Sequence, residues 1–330
     1  MSKVIAIGPM SSEVVEAVYR YSHITHKPFM LISSMNQIDH NGGYVNKWTT
    51  QDYMKFIRTM RLQYQDSDVL ICRDHCGPGF NGRNELGDAF MTISEDIKAG
   101  YDLIHIDFCH FKGPRDKMLT RASEAIEYAK KKNPRIRFEI GTDEIGKPLN
   151  LNQVRAELDY FTKFCNPEYY VINTGSLVLE DKQVGIFNQE KTQQAWRLLR
   201  DYNIKLKEHN ADYLTAEQIR ARKSCVDALN IAPQLGVRQT ERILSLAQKF
   251  NINANSFLES AYKSKKWKKW LQYTSPDDTY TCSVLAGHYV FSGNPYNVLY
   301  KNLNHYVDVK EELINAAIET IDHYATNFYN

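Results

Sequence analysis

The chain has 330 residues, 43% of them hydrophobic and 24% charged, and a net charge of +2. That is enough apolar material for a large core, and the balance is too near neutral for a polyanionic partner such as nucleic acid. No apolar run approaches the roughly 20 residues that cross a bilayer, and the six dispersed cysteines suit reduced thiols in cytosol better than a disulfide framework.

The segment from Met1 to Pro9 is too short for the apolar region of a signal peptide and reads as a first strand. After it, short β-branched or apolar runs recur at Phe29–Ser33, Val69–Cys72, Leu103–Asp107, Ile136–Ile140, Tyr169–Asn173, Ile204–Lys207 and Cys225–Ile231. With Val4–Ile7 they make eight predicted strands, although Ala228 and Leu229 in the last also suit a helix. Amphipathic stretches lie between them at Asp52–Gln63, Met91–Ala99, Met118–Lys131, Gln153–Phe164, Glu190–Tyr202 and Ala216–Lys223. Strand alternating with helix eight times predicts a parallel (β/α)8 barrel of the TIM type over residues 1–240. Beyond it the pattern turns helical at Thr240–Phe250, Ala254–Tyr262 and Val309–Tyr324. Residues 241–330 therefore read as a C-terminal helical extension packed on the barrel, since no linker-like stretch intervenes.

Buried parallel strands should be apolar throughout, yet five of these end in polar residues: Arg73-Asp74-His75, His105-Ile106-Asp107, Glu139 to Asp143, Asn173 to Ser176, and Glu208 to Asp212. In a barrel such ends converge on the face that carries the chemistry. Asp74-His75 is the sharpest pair, a metal-binding residue type beside a carboxylate able to move a proton. His209 falls on the same predicted rim, and Glu139 would complete a set of two histidines and one carboxylate. A divalent metal held there, zinc by its ligand types, would polarise a sugar carbonyl. Cys72 and Cys76 have no second pair at zinc-finger spacing, which argues against a structural zinc site. His105 and His110 flank Asp107, but the alternation with Ile104 and Ile106 leaves open which layer His105 faces. Lys263 to Trp270 reads as a solvated helix face with its tryptophans turned inward, and Gly287-His288-Tyr289 as structural turns. Arg83 and Arg238 are candidates for fork-like phosphate binding.

The order Ser33-Ser34-Met35-Asn36-Gln37, Gly42-Gly43-Tyr44, Arg73-Asp74-His75-Cys76-Gly77-Pro78, Ile104-His105-Ile106-Asp107, Ile140-Gly141-Thr142-Asp143 and Glu208-His209-Asn210-Ala211-Asp212-Tyr213 resembles one family. It is the larger-subunit family of tagatose-1,6-bisphosphate aldolase, related to the class II aldolases. The resemblance implies that Asp74 transfers the proton and that His75, His209 and Glu139 hold zinc or a similar divalent ion. It places Ser33, Asn36, Gln37, Asp107, Asp143, Asn173 and Asp212 on the rim as substrate-binding residues. It implies a cytoplasmic enzyme for a phosphorylated ketose or related sugar derivative, self-associating, with neither a membrane nor a nucleic acid as partner. Two other functions stay open: a non-catalytic subunit that stabilises an aldolase partner, and a metal-dependent epimerase or isomerase. The chain departs from the catalytic class II enzymes in lacking a histidine after strand six, where it has Thr174-Gly175-Ser176. It also has Asn230-Ile231-Ala232-Pro233 where an Asn-x-x-Thr-like phosphate segment would stand.

Overall fold

A computed structural model describes residues 3–83, 85–142 and 149–329. Its strands are β1 (Val4–Ile7), β2 (Phe29–Ser34), β3 (Val69–Cys76), β4 (Leu103–Ile106), β5 (Arg137–Thr142), β6 (Tyr169–Ile172), β7 (Val178–Leu179), β8 (Lys182–Gln183), β9 (Lys205–Glu208) and β10 (Ala228–Ile231). Eight of them close into a barrel in the order β1-β10-β9-β6-β5-β4-β3-β2, every pair parallel. β7 and β8 form a small antiparallel hairpin after β6. All eight strands expected from the sequence are present, and the barrel with its helical extension is the architecture expected.

The helices α1 (Ser12–Thr25), α2 (Thr50–Gln63), α3 (Leu86–Ala99), α4 (Arg115–Lys132), α5 (Leu151–Phe161), α6 (Gln189–Asp201), α7 (Ala216–Arg222) and α8 (Pro233–Lys249) follow the barrel strands in turn. Their starts are written locally. Ser11 caps α1, and Thr49 with Asp52 and Thr215 with Gln218 form capping boxes at α2 and α7. Outward strand residues such as Ile5, Leu31, Ile71, Ile104, Leu206 and Leu229 pack in one large cluster with the helices. Inward ones, Val4, Ala6, Met30, Ile32, Cys72, Leu103, Tyr169 and Ala228, fill the barrel. This alternation decides which residues of the next layer face the mouth.

The extension adds α9 (Asn255–Lys263), α10 (Thr279–Ala286), α11 (Asn294–Leu303) and α12 (Val309–Phe328). It has a core of its own around Phe257, Phe291, Tyr296 and Leu299, which also takes in Ile243 and Leu246 of α8. α8 runs through residue 240 without a break. Among the described residues no helix is long and apolar enough to cross a membrane.

Candidate active site

Asp74 and His75 are neighbours in sequence, and in a regular strand they would point to opposite faces. The register of β3 against β4 shifts between Arg73 and Cys76, and His75 takes φ = 49°. A bulge of this kind turns a strand locally, and here it brings both side chains to the mouth. Arg73, by contrast, points outward, where its guanidinium binds both oxygens of Asp96 at 2.7 Å and the carbonyls of Ser33 and Ile38. The chain then passes so close to β4 that a Cβ on Gly77 would lie 1.7 Å from the Asp107 carbonyl oxygen.

The buried Asp74 carboxylate stands among three imidazoles. Its Oδ1 is 3.4 Å from His105 Nδ1 and 3.5 Å from His209 Nε2, and its Oδ2 is 3.7 Å from His75 Nε2. The rings of His75 and His209 meet edge to face at 4.6 Å, and His105 lies 5.2 Å and 5.9 Å from them. His75 and His105 are held from behind. His75 Nδ1 is 2.8 Å from Asp107 Oδ2, and His105 Nε2 is 3.0 Å from the Gly141 carbonyl. With protons on those outer nitrogens, the inner nitrogens turn lone pairs toward Asp74. Lone pairs facing a carboxylate repel unless a cation lies among them, so the donor set fits a divalent ion of the zinc class. Asp74, His75 and His105 each offer a ligand atom within 4.8 Å of the others.

Protons on the imidazoles would satisfy the Asp74 carboxylate as an ion among them would. Burial pushes the Asp74 carboxyl up, but the charges of His75 and His209 outweigh it and hold the group well below the usual carboxylate range. Burial would lower His75, yet Asp74 and Asp107 raise it. Burial opposes ionisation of Asp107 too, and its bond to His75 brings it down to about 2.

The structure brings Asp74, His75 and His209 together as expected and does not bring Glu139 to them. Glu139 lies one layer deeper, fully buried, with Oε2 at 2.6 Å from Lys207 Nζ. Burial alone would lower the pKa of Lys207; the carboxylate beside it raises it instead. His105 takes the place foreseen for Glu139. Leu103 points inward and Ile104 and Ile106 outward, so His105 falls on the inner face. Sequence reasoning could not choose that face without the register. Lys207 was missed as well; its signal was its place two residues before His209, on the same side of an alternating strand.

The expected substrate-binding residues are scattered in role. Ser33 faces the helical layer, 2.8 Å from the Tyr101 hydroxyl. Gln37 is spent on the Ser34 N–H and the Met10 sulfur. Asn36 is exposed and donates to the Phe80 carbonyl. Asn173 is half-buried and accepts the Gly175 N–H. Asp107 braces His75. Asp212 caps α8, its Oδ1 accepting the N–H groups of Ala232 and Gln234 at 2.9 Å, and burial pushes its carboxyl up to about 7 against those two bonds. Asp143 lies outside the described residues. Both arginines considered for phosphate are paired with carboxylates: Arg83 binds Asp39 and Asp88, and Arg238 binds Glu241 at 2.7 Å. Trp267 is buried, as expected of the basic segment, with its indole N–H on the Tyr262 carbonyl.

Solved structures share this fold at low sequence identity. A "probable tagatose 6 phosphate kinase" from Sinorhizobium meliloti 1021 matches over 98% of this chain and 100% of its own, with 16% identity and a TM-score of 0.81. Fructose-bisphosphate aldolase from Campylobacter jejuni matches over 100% and 92%, with 11% identity and a TM-score of 0.62. Fructuronate-tagaturonate epimerase from Cohnella laeviribosi matches over 99% and 81%, again with 11% identity and a TM-score of 0.62. In sequence, residues 2–130 match the model of the D-tagatose-1,6-bisphosphate aldolase subunit GatZ/KbaZ-like family, which bears out over that stretch the resemblance read from the motifs.

Proposed function

We propose that the chain is a metal-dependent aldolase-type enzyme that makes or breaks the bond between the α and β carbons of a ketose derivative, counted from its carbonyl. The observation that carries this reading is one buried carboxylate, Asp74, lying 3.4–3.7 Å from nitrogens of three histidines at the strand ends. His75, His209 and His105 are the residues to hold the ion. Bound there, a zinc-like ion would act as a Lewis acid on the substrate carbonyl oxygen. Asp74, kept ionised by the imidazoles, accepts the proton of the hydroxyl on the carbon that departs and returns it in the reverse direction. Asp107 fixes the orientation of His75, and the partly accessible Asn36 and Asn173 meet sugar hydroxyls.

Elemental analysis of untagged protein tests the metal site. About one divalent ion per chain is expected, lost in His75→Ala and in His209→Ala while the barrel stays folded. Asp74→Asn is expected to keep the ion and to stop release of a three-carbon fragment from a ketose. A second reading, a subunit that keeps the group without turning over substrate, draws on the word subunit in the matched family's description. Absence of metal after reconstitution, with co-purification of a separate aldolase chain, would establish it in place of the first.

A further inference from the structure

In (β/α)8 barrels the loops after the seventh and eighth strands, with the N-terminus of a nearby helix, commonly seat a substrate phosphate. Free N–H groups and the helix dipole make such an end favourable to an anion. The corresponding corner here lies between the loop after β9, β10 and α8, next to His209. We infer that Asp212 fills this corner from within, so that the ligand of the mouth turns an unphosphorylated, hydroxyl-bearing end toward it. This rests on the reading of the mouth as a substrate site and narrows the substrate class.

Three observations carry it. The first is donor supply. The Ala232 and Gln234 N–H groups both go to Asp212 Oδ1 at 2.9 Å, Pro233 has none, and the Leu235 N–H goes to the Ala232 carbonyl at 3.1 Å. The first turn of α8 therefore has no N–H left for an external anion, and the Asp212 carboxyl group already occupies its positive end. The second is space. Asp212 is 2% exposed. Across the seam, Gly8 at the end of β1 comes so near that a Cβ there would lie 2.5 Å from Ala232 Cβ and 3.0 Å from Gln37 Nε2. The Gly8 N–H is spent on the Ile231 carbonyl at 2.9 Å. The loop is fastened besides: the Ala211 N–H donates to the Asn230 carbonyl at 2.9 Å, and the Tyr213 N–H to Gln234 Oε1 at 2.7 Å.

The third observation says what the corner accepts. Ala228 fills the barrel while Leu229 and Ile231 face the helices, so Asn230 points inward. It is 4% exposed, and neither Oδ1 nor Nδ2 has a hydrogen-bond partner among the described residues. A neutral donor and acceptor side by side, with Arg238 of α8 paired to Glu241 at 2.7 Å, matches a hydroxyl rather than a phosphate dianion.

The test is phosphate binding, which does not depend on the metal. Inorganic phosphate is titrated at fixed ionic strength, by calorimetry and by thermal shift, into wild type, Asp212→Ala and Asp212→Asn. Asp212→Ala frees two N–H groups at a helix N-terminus and should bind phosphate about tenfold more tightly than wild type. Asp212→Asn keeps an acceptor oxygen in place and should stay like wild type. Equal phosphate affinity in wild type and Asp212→Ala would overturn the inference. Should the alanine variant not fold, wild-type crystals soaked in phosphate decide: an anion on the Ala232 and Gln234 N–H groups, with Asp212 displaced, overturns it, and an undisturbed Asp212 upholds it. Loss of the proposed function would appear instead as absence of metal, whatever the phosphate result.

Discussion

Asp107 touches the proposed ligand set through His75, whose Nδ1 it holds at 2.8 Å. A carboxylate behind a ligating histidine fixes the ring and raises its basicity, and losing one costs about 10–100-fold in metal affinity. Asp107→Ala is therefore expected to weaken zinc binding by about that factor while the far-ultraviolet circular dichroism stays that of the wild type. A chelator competition titration measures it, and unchanged affinity would remove the bracing role. At this scale the sequence was legible where residue types were rare in their context. A charged pair such as Asp74-His75 closing an apolar strand announces itself. His105 and Glu139 were exchanged in importance although they stand opposite each other on β4 and β5, because Lys207 claims the Glu139 carboxylate inside the barrel.

Strand β9 sets Lys207 against Glu139 of β5 across the barrel, both fully buried, beneath Asp74. Desolvation makes such a pair a poor source of net stability, but removal of one partner strands a charge in the interior at a cost of about 3–5 kcal/mol. Lys207→Met should lose roughly that much in urea unfolding, and Lys207→Met/Glu139→Gln should recover most of it. Equal losses in the single and double variants would mean that the two groups do not act as a pair. Gly77 tests a second element contact. Its Cβ position is 1.7 Å from the Asp107 carbonyl oxygen, so Gly77→Ala must push the ends of β3 and β4 apart, at about 1–3 kcal/mol. That variant should also lose zinc affinity, because Asp107 moves with the displaced backbone. The strands were readable because apolar runs bounded by polar residues are a local property. The extension of β3 to Cys76 was not, since a bulge is fixed by its partner strand. The hairpin Val178–Gln183 was too short to leave a period.

The chain's last helix ties the molecule together. α12 buries Leu313, Ile314, Ala317, Ile321, Tyr324 and Phe328, and most of these join the cluster that packs the helices on the barrel rather than the separate core of the extension. Its Tyr324 hydroxyl lies 2.6 Å from the Ala211 carbonyl and 3.0 Å from Gln234 Oε1, beside the loop that carries His209 and Asp212. Tyr329, just after it, accepts the Ile5 N–H at 3.0 Å and so reaches the first barrel strand. Fully burying a large apolar side chain stabilises by about 1.5–3 kcal/mol. Loss of five such side chains is comparable to the 5–15 kcal/mol that separates folded from unfolded in most domains. Barrel and extension are thus expected to unfold in one calorimetric transition, and a chain ending at Asp308 should fail to fold rather than leave a soluble barrel. A soluble, cooperatively melting product of that truncation would show the barrel to be independent of α12. Tyr324→Phe separates the helix's packing from its polar contact: it keeps the ring but leaves the Ala211 carbonyl without its hydroxyl partner, at a cost of about 1–3 kcal/mol. Because that carbonyl belongs to the loop between His209 and Asp212, the same variant should loosen zinc binding as well as stability. A loss of stability with zinc affinity intact would confine α12 to holding the fold.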